Sequence, residues 1–237
     1  MKALAVKGLT KSFGGLKVLQ NVAFSLESGE RRAIIGPNGA GKTTLFNIIS
    51  GTIQPDAGEV LLFGKNITRI STHRRSRLGL ARTFQKNNLF FNLSLLDNIN
   101  LALLINKIPS SPQSFIKKWD LWDKRDTRVG ELSYGEQRQV ELLLALAQLP
   151  RILLLDEPTA GISPVETEVI AAMINALPRD ITILIIEHDM DVVFNLADRI
   201  TVLHLGRVFY EGDLESVKSD QRVKEVYLGT DGGEVRS

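Results

Sequence analysis

The sequence has no cysteine, which excludes disulfides, thiol catalysis and metal sites built on thiolates. It also lacks charge of a dominant sign. Lys and Arg number 29 against 27 Asp and Glu, a formal net charge of +2, and basic clusters are short, such as "HRRSR" (73–77) and "KK" (117–118). That distribution describes a solvated surface rather than a nucleic-acid patch. Long apolar runs are missing as well. "ITILII" (181–186) and "LLLALA" (142–147) fall far short of the roughly 18 residues that span a bilayer, so no direct membrane span is expected. The start, "MKALAVKGLT", has neither the apolar core nor the cleavage site of a signal peptide and reads as an alternating strand. A cytoplasmic protein is the expectation.

What is present is ordinary globular composition, 43% hydrophobic and 24% charged over 237 residues. This is enough for one large domain or a domain with a substantial subdomain. Residues 1 to about 30 alternate in short stretches around the turn Gly14-Gly15, which predicts an antiparallel meander. "RRAIIG" runs into "PNGAGKTTLFNIIS" as a strand followed by a helix, and "GEVLLFGKNIT" returns to β. A basic helical piece and a short strand, "LARTF", follow. Between about 87 and 130 the period lengthens, with Leu96, Ile99 and Leu103 three and four residues apart, which predicts helix. From Pro150 onward strands and helices alternate, the pattern of a mostly parallel sheet covered by helices.

"GPNGAGKT" (36–43) matches GxxxxGK(S/T) between a predicted strand and a predicted helix, the context that gives the match physical meaning. Gly36, Gly39 and Gly41 let backbone amides turn toward phosphate oxygens. Lys42 supplies a point charge to the β- and γ-phosphates, and the Thr43 hydroxyl is placed to ligate Mg²⁺. With Pro37, Asn38, Ala40 and Thr44 these residues form the expected ATP cradle. "ILLLDEP" (152–158) is an apolar strand ending in two carboxylates. Alternation along a strand aims them differently: Asp156 suits the Mg²⁺ shell and Glu157 suits the water that attacks the γ-phosphate. "LSYGE" (132–136) opens a helix with a hydroxyl and a glycine. Ser133 with Glu136 fits a capping box. The same helix start, with Ser133 and the Gly135 amide facing solvent, also fits an anion.

In this order, "GPNGAGKTT", "RTFQ", "LSYGEQ", "LLLDEPTAG" and "IIEHD" resemble the Walker A, Q-loop, signature, Walker B and switch-histidine motifs of ATP-binding cassette (ABC) ATPases. The resemblance covers essentially the whole chain. It implies an α/β fold: a P-loop NTPase core with a mostly parallel sheet, an N-terminal antiparallel β subdomain and an inserted helical subdomain. The implied layout is one ABC ATPase domain over 1–237. The core with its antiparallel part takes 1–86 and 150–229, the helical signature subdomain 87–149, and a flexible tail 230–237. It implies ATP and Mg²⁺ as cofactors and a second cassette, identical or a sister chain, facing head to tail. Ser133 and Gly135 then act in trans on the γ-phosphate bound by the partner. Gln85 becomes the metal- and water-sensing residue coupled to integral-membrane permease subunits, His188 the residue that holds the γ-phosphate and Glu157 together, and Phe13 the ring that stacks on adenine. The chain would sit on the inner face of the cell membrane through those permeases.

"RTFQ", "LSYG", "AGISPVET", "IIEHDM" and "VYLG" (226–229) are further similar to ATP-binding subunits of branched-chain amino-acid importers and of their urea and short-amide relatives. Tyr134 and Glu136 depart from the commonest signature, LSGGQ, and Ser163 replaces the D-loop Asp of many cassettes. Exporters of lipid or lipopolysaccharide type, and ABC ATPases outside transport, stand as alternatives. A chromosome- or repair-type ATPase is disfavoured because only about 45 residues separate Gln85 from Ser133, too few for a long heptad insertion. Beside Gln85, the adjacent Phe90 and Phe91 lead to the expectation that residues 89–91 line a groove for a short permease helix.

Overall fold

A computed structural model describes residues 1–83, 89–105 and 111–228. In chain order β1 (Lys2–Phe13) and β2 (Leu16–Glu27) form a hairpin through Gly14-Gly15, and β3 (Arg31–Ile35) leads to α1 (Lys42–Ser50). Then come β4 (Ala57–Leu62), β5 (Lys65–Asn66), α2 (Thr72–Arg77) and β6 (Leu80–Arg82). The helical segment holds α3 (Leu95–Ile105), α4 (Pro112–Lys117), two short 3₁₀ turns and α5 (Tyr134–Leu146). The remainder alternates: β7 (Ile152–Asp156), α6 (Pro164–Asn175), β8 (Thr182–Ile186), α7 (Met190–Leu196) and β9 (Arg199–His204). It closes with β10 (Arg207–Asp213), α8 (Leu214–Ser219) and α9 (Gln221–Leu228). The chain thus has the expected α/β architecture with an antiparallel N-terminal part and a helical insertion. The closing hairpin strand β10 and the helices α8 and α9 carried no sequence expectation, and residues 229–237, including the end of "VYLG" and the expected tail, lie outside the described residues.

Two sheets organise these elements. One is antiparallel, in the order β2-β1-β4-β5. The other runs β10-β9-β3-β8-β7-β6, parallel except for the β9–β10 pair. Every residue of β3, β7 and β8 is buried. Strands covered on both faces need no polar alternation, which is why residues 33–35, 152–155 and 183–186 read as unbroken apolar runs. Their side chains still alternate between two cores. Leu153, Leu155, Ile183 and Ile185 pack with α5, α6 and α7 on one face, while Ile34, Ile152, Leu154, Leu184 and Ile186 meet α1 and the antiparallel sheet on the other. Leu95, Ile99 and Leu103 of α3 join the first of these cores, so the helical insertion is packed onto the sheet.

One buried cation locks the far end of α1. The Arg75 guanidinium donates to the carbonyls of Ile48 (2.6 Å), Ile49 (2.7 Å), Thr68 (2.7 Å) and Ile70 (2.8 Å). Two of these are carbonyls of the last helical turn, where intrahelical partners run out; the Ile48 carbonyl also accepts from the C-cap Gly51 amide at 3.2 Å. Burial pushes the guanidinium down to about 10, yet it stays protonated at neutral pH and complements the negative end of the helix dipole. Arg75→Met keeps most of the aliphatic volume and orphans the carbonyls of Ile49, Thr68 and Ile70. At about 1–3 kcal/mol for each buried group left unpaired, urea unfolding should show a loss of about 3 kcal/mol or more. A loss below about 1 kcal/mol would show that water replaces the guanidinium without strain.

Candidate active site

The register of the parallel strands assembles the site. Ile34 of β3 pairs with Ile186 of β8, and Asp156 of β7 pairs with the same Ile186. The three C-terminal strand ends therefore lie side by side, the place where open α/β sheets bind ligands. β3 delivers Gly36 and the phosphate loop, β7 delivers Asp156 and Glu157, and β8 delivers Glu187 and His188.

The loop geometry is enforced by packing on one side and open on the other. A Cβ on Gly36 would lie 2.0 Å from the Leu203 carbonyl oxygen, whereas one on Gly39 (φ +80°) would meet nothing within 4 Å. The loop backbone is thus seated against β9 at Gly36 and clear of the protein at Gly39, the combination a phosphate cradle needs. Pro37 is partly exposed, Asn38 and Thr43 are exposed, Thr44 is half-buried, and Ala40 and Gly41 are buried. Lys42 is buried at the start of α1, its Nζ donating to the carbonyls of Gly36 (2.5 Å) and Pro37 (3.1 Å). Burial lowers its pKa, while attraction from Glu157 and Asp156 opposes that shift. The ammonium therefore lies within electrostatic reach of both carboxylates.

The carboxylates differ in environment as expected, though strand alternation is not the cause. β7 ends at Asp156, and Glu157 turns into the left-handed region (φ +48°) while its amide donates to the Ile186 carbonyl at 2.9 Å. A non-glycine residue held there carries backbone strain of the kind found at functional sites. Asp156 is fully buried. Its Oδ2 accepts from Arg82 at 2.6 Å, and its Oδ1 has no partner among the described residues. An orphaned buried carboxylate oxygen and an exposed Thr43 at the start of α1 are the kind of donors expected for Mg²⁺, which takes one or two protein ligands and completes its shell with phosphate and water. Accordingly, among the described residues no cluster of three or more His, Asp or Glu forms a metal cage.

His188 is 64% exposed, which rules out a satisfied core histidine. It is held through its neighbour. Glu187, fully buried, accepts from the Thr159 amide (3.1 Å) and hydroxyl (2.6 Å) with one oxygen and from the His188 amide (3.1 Å) with the other. This clamp, which joins the turn after Glu157 to His188, was not anticipated. A carboxylate directly before a histidine, at the end of an apolar strand, was its visible signal.

The second helix start satisfies the capping-box reading. Ser133 caps α5 in a full capping box with Glu136. Ser133 is exposed as expected, but Gly135 is buried and does not face solvent. Its amide and the Ser133 hydroxyl both donate to Oε1 of Glu166, each at 3.2 Å, because the turn at Ser163 and the first turn of α6 pack against this helix end. Hydrogen bonds from Ser163 first, then from Ser133 and Gly135, lower the Glu166 pKa. An anion already sits where an anion was expected, supplied by the chain itself.

Phe13 is 48% exposed at the end of β1 with the Lys11 ammonium 5.4 Å from its ring centroid, so it is no core residue and offers a free aromatic face. Gln85 lies outside the described residues. A groove of about 410 Å³ lies between α2, α3 and α5. Phe90, 56% exposed, lines this groove, whereas Leu89 is buried in the core and Phe91, 43% exposed, does not line it; the Phe91 carbonyl accepts from the Gly130 amide at 3.0 Å. The expectation for 89–91 is met at Phe90 alone.

Comparison with known proteins agrees with this geometry. Residues 19–160 match the family model described as ABC transporter. The chain is 35% identical to the high-affinity branched-chain amino acid transport ATP-binding protein BraF of Pseudomonas aeruginosa, over 95% of this chain and 97% of the relative. It is 37% identical to the lipopolysaccharide export system ATP-binding protein LptB of Acidithiobacillus ferridurans, over 95% and 96%. It superposes on the ADP conformation of an ATP-binding cassette of an ABC transporter with a TM-score of 0.85 and 32% identity, covering 97% of this chain and 99% of that one.

The contrast between the two loop glycines is testable. Gly36→Ala forces a shift against the Leu203 carbonyl and should abolish binding of a fluorescent ATP analogue. Gly39→Ala meets no atom and bears only the left-handed cost of about 1–2 kcal/mol, a loss of about tenfold or somewhat more. Equal losses in the two variants would mean that backbone conformation, not contact with β9, sets the loop.

Proposed function

The chain belongs to the ABC transporter family of ATP-hydrolysing cassettes, and from that premise we propose that it drives import of branched-chain or other hydrophobic amino acids, or of urea and short amides. The observation that carries the catalytic part is the single sheet edge on which the phosphate loop, Asp156, Glu157 and His188 stand together. The phosphate loop and Lys42 bind the β- and γ-phosphates, and Phe13 stacks on the adenine ring, a contact that adds about 0.5–1.5 kcal/mol beyond its area. Thr43 and Asp156, with Gln85, hold Mg²⁺, which when bound neutralises charge on the transferring phosphoryl group. Glu157 accepts a proton from the attacking water, and His188, set by Glu187, holds the γ-phosphate and Glu157 in register. Exposure of the imidazole leaves it free to reach them.

Cassettes of this family work as dimers with membrane permease partners. In the proposed dimer Ser133 and Gly135 bind the partner's γ-phosphate, which takes over the two donors that Glu166 occupies. Phe90 anchors a permease helix in the groove. No helix among the described residues is long and apolar enough to cross a membrane, so membrane attachment in this reading runs through the permeases. The similarity to LptB favours export as the second reading. Uptake of labelled leucine or urea by cells carrying the chain with its co-purifying membrane subunits separates the two. Uptake that depends on this chain supports import, and extraction of lipopolysaccharide without uptake supports export.

Two further outcomes test the catalytic reading. Glu157→Gln should lower kcat by about 10²- to 10⁴-fold while ATP binding persists, and wild-type turnover would remove Glu157 from the mechanism. In that background light scattering should report an ATP-dependent dimer that Ser133→Arg abolishes. Persistence of the dimer would leave Ser133 as a cap only. At the groove, Phe90→Ala removes an anchor worth roughly 1.5–3 kcal/mol and should weaken co-purification with the permeases by more than tenfold, with basal ATPase intact. Phe91→Ala, outside the groove, should have no such effect.

A further inference from the structure

Arg82 is the last residue of a three-residue edge strand, paired in register with Leu154, two residues before Asp156. Its guanidinium touches three parts of the molecule. One nitrogen donates to Asp156 Oδ2 at 2.6 Å, and the other donates to Asn47 Oδ1 at 2.7 Å and Ser50 Oγ at 3.1 Å. Asn47 and Ser50 belong to α1, the helix that begins with Lys42 and Thr43. The plane lies 5.8 Å from the Phe46 ring centroid. The same side chain forms part of the wall of the groove that holds Phe90, Asn98 and Glu141.

A buried ion pair is weak evidence for stability, since its desolvation cost offsets its attraction. This pair has a further property. It occupies only one oxygen of Asp156 and leaves Oδ1 unpartnered and buried, so it fixes the carboxylate plane and presents the free oxygen in one direction. Resting on the reading of Asp156 as a Mg²⁺ ligand, we infer that Arg82 is a positioning residue of the cation site and the physical link between that site and the partner groove. Partners of a metal ligand fix its orientation and typically govern metal affinity by 10- to 100-fold. What occupies the groove therefore bears on the orientation of Asp156 through one side chain, by a route separate from Gln85.

Two effects of removing Arg82 have opposite signs. Losing a cation next to a metal ligand favours the metal by Coulomb attraction, and losing the orientation disfavours it. The inference requires the second to win. Electron paramagnetic resonance of Mn²⁺ bound with ADP measures this without turnover. Arg82→Gln should weaken Mn²⁺ binding about 10- to 100-fold, with ADP affinity in EDTA unchanged, and Arg82→Lys should fall between. Asn47→Ala, which removes one anchor and keeps the ion pair, should show a smaller loss in the same direction and serves if Arg82→Gln fails to fold. Unchanged or tighter Mn²⁺ binding in these variants, while Asp156→Asn loses it, overturns the inference alone. Retained Mn²⁺ binding in Asp156→Asn overturns the metal reading and the inference with it. For the link to the groove, adding Mg²⁺ to the ADP-loaded Phe90→Trp protein should change tryptophan emission beyond that of the parent, and Arg82→Lys should abolish the change. No change, or one that survives Arg82→Lys, overturns the link.

Discussion

The pairing of β3, β8 and β7 in one parallel register is the constraint on which the rest of the molecule depends. Parallel strands carry their chemistry at their C-terminal ends, and a slip of one residue would turn every side chain to the opposite face. Here such a slip would exchange Leu153 and Leu155 with Ile152 and Leu154 between two different cores. Burial on both faces therefore fixes the register, and the register fixes which residues stand beside one another where the strands end. Phosphate loop, carboxylates and histidine need no contacts of their own to be brought together.

Charge inside this frame is used in two ways. Arg31 and Arg75 are spent on carbonyls and an amide: Arg31 on Asn175 and Leu177, Arg75 on the end of α1 and the loop after it. These networks tie elements together, although the Arg31 Nε keeps no partner among the described residues. Lys42, Arg82 and Asp156 form an open one. Lys42 rests on its own loop's carbonyls, bonds that a stronger anion can replace, and Asp156 keeps a buried oxygen without a partner. Unsatisfied buried groups are costly, and the free Asp156 oxygen at these strand ends marks where the protein has retained binding capacity.

The signature helix shows the same economy with a different outcome. Its N-terminal donors are satisfied twice, by Glu136 within the helix and by Glu166 from α6. A capping box and an anion site are the same physics, free N–H groups at the positive end of a helix, so local sequence cannot distinguish them. The order of motifs along the chain is what favours the anion site in the proposed dimer.

The sequence by itself determined the fold class, because apolar runs, helical periods and turn residues are local patterns. It also determined the phosphate loop and the acidic strand end, whose residues are contiguous and whose spacing carries the chemistry. Tertiary structure decided what depends on residues far apart in the chain. Arg82 lies 74 residues from Asp156, Glu166 lies 31 from Gly135, and Thr159 lies 28 from Glu187. Each lies in a motif of the sequence without a role of its own there, since nothing local says which distant oxygen or amide a side chain will meet. Phe90 and Phe91 make the same point at a distance of one residue. As neighbours of the same type they are indistinguishable in sequence, and only the tertiary structure places Phe90 in the groove wall and leaves Phe91 out of it.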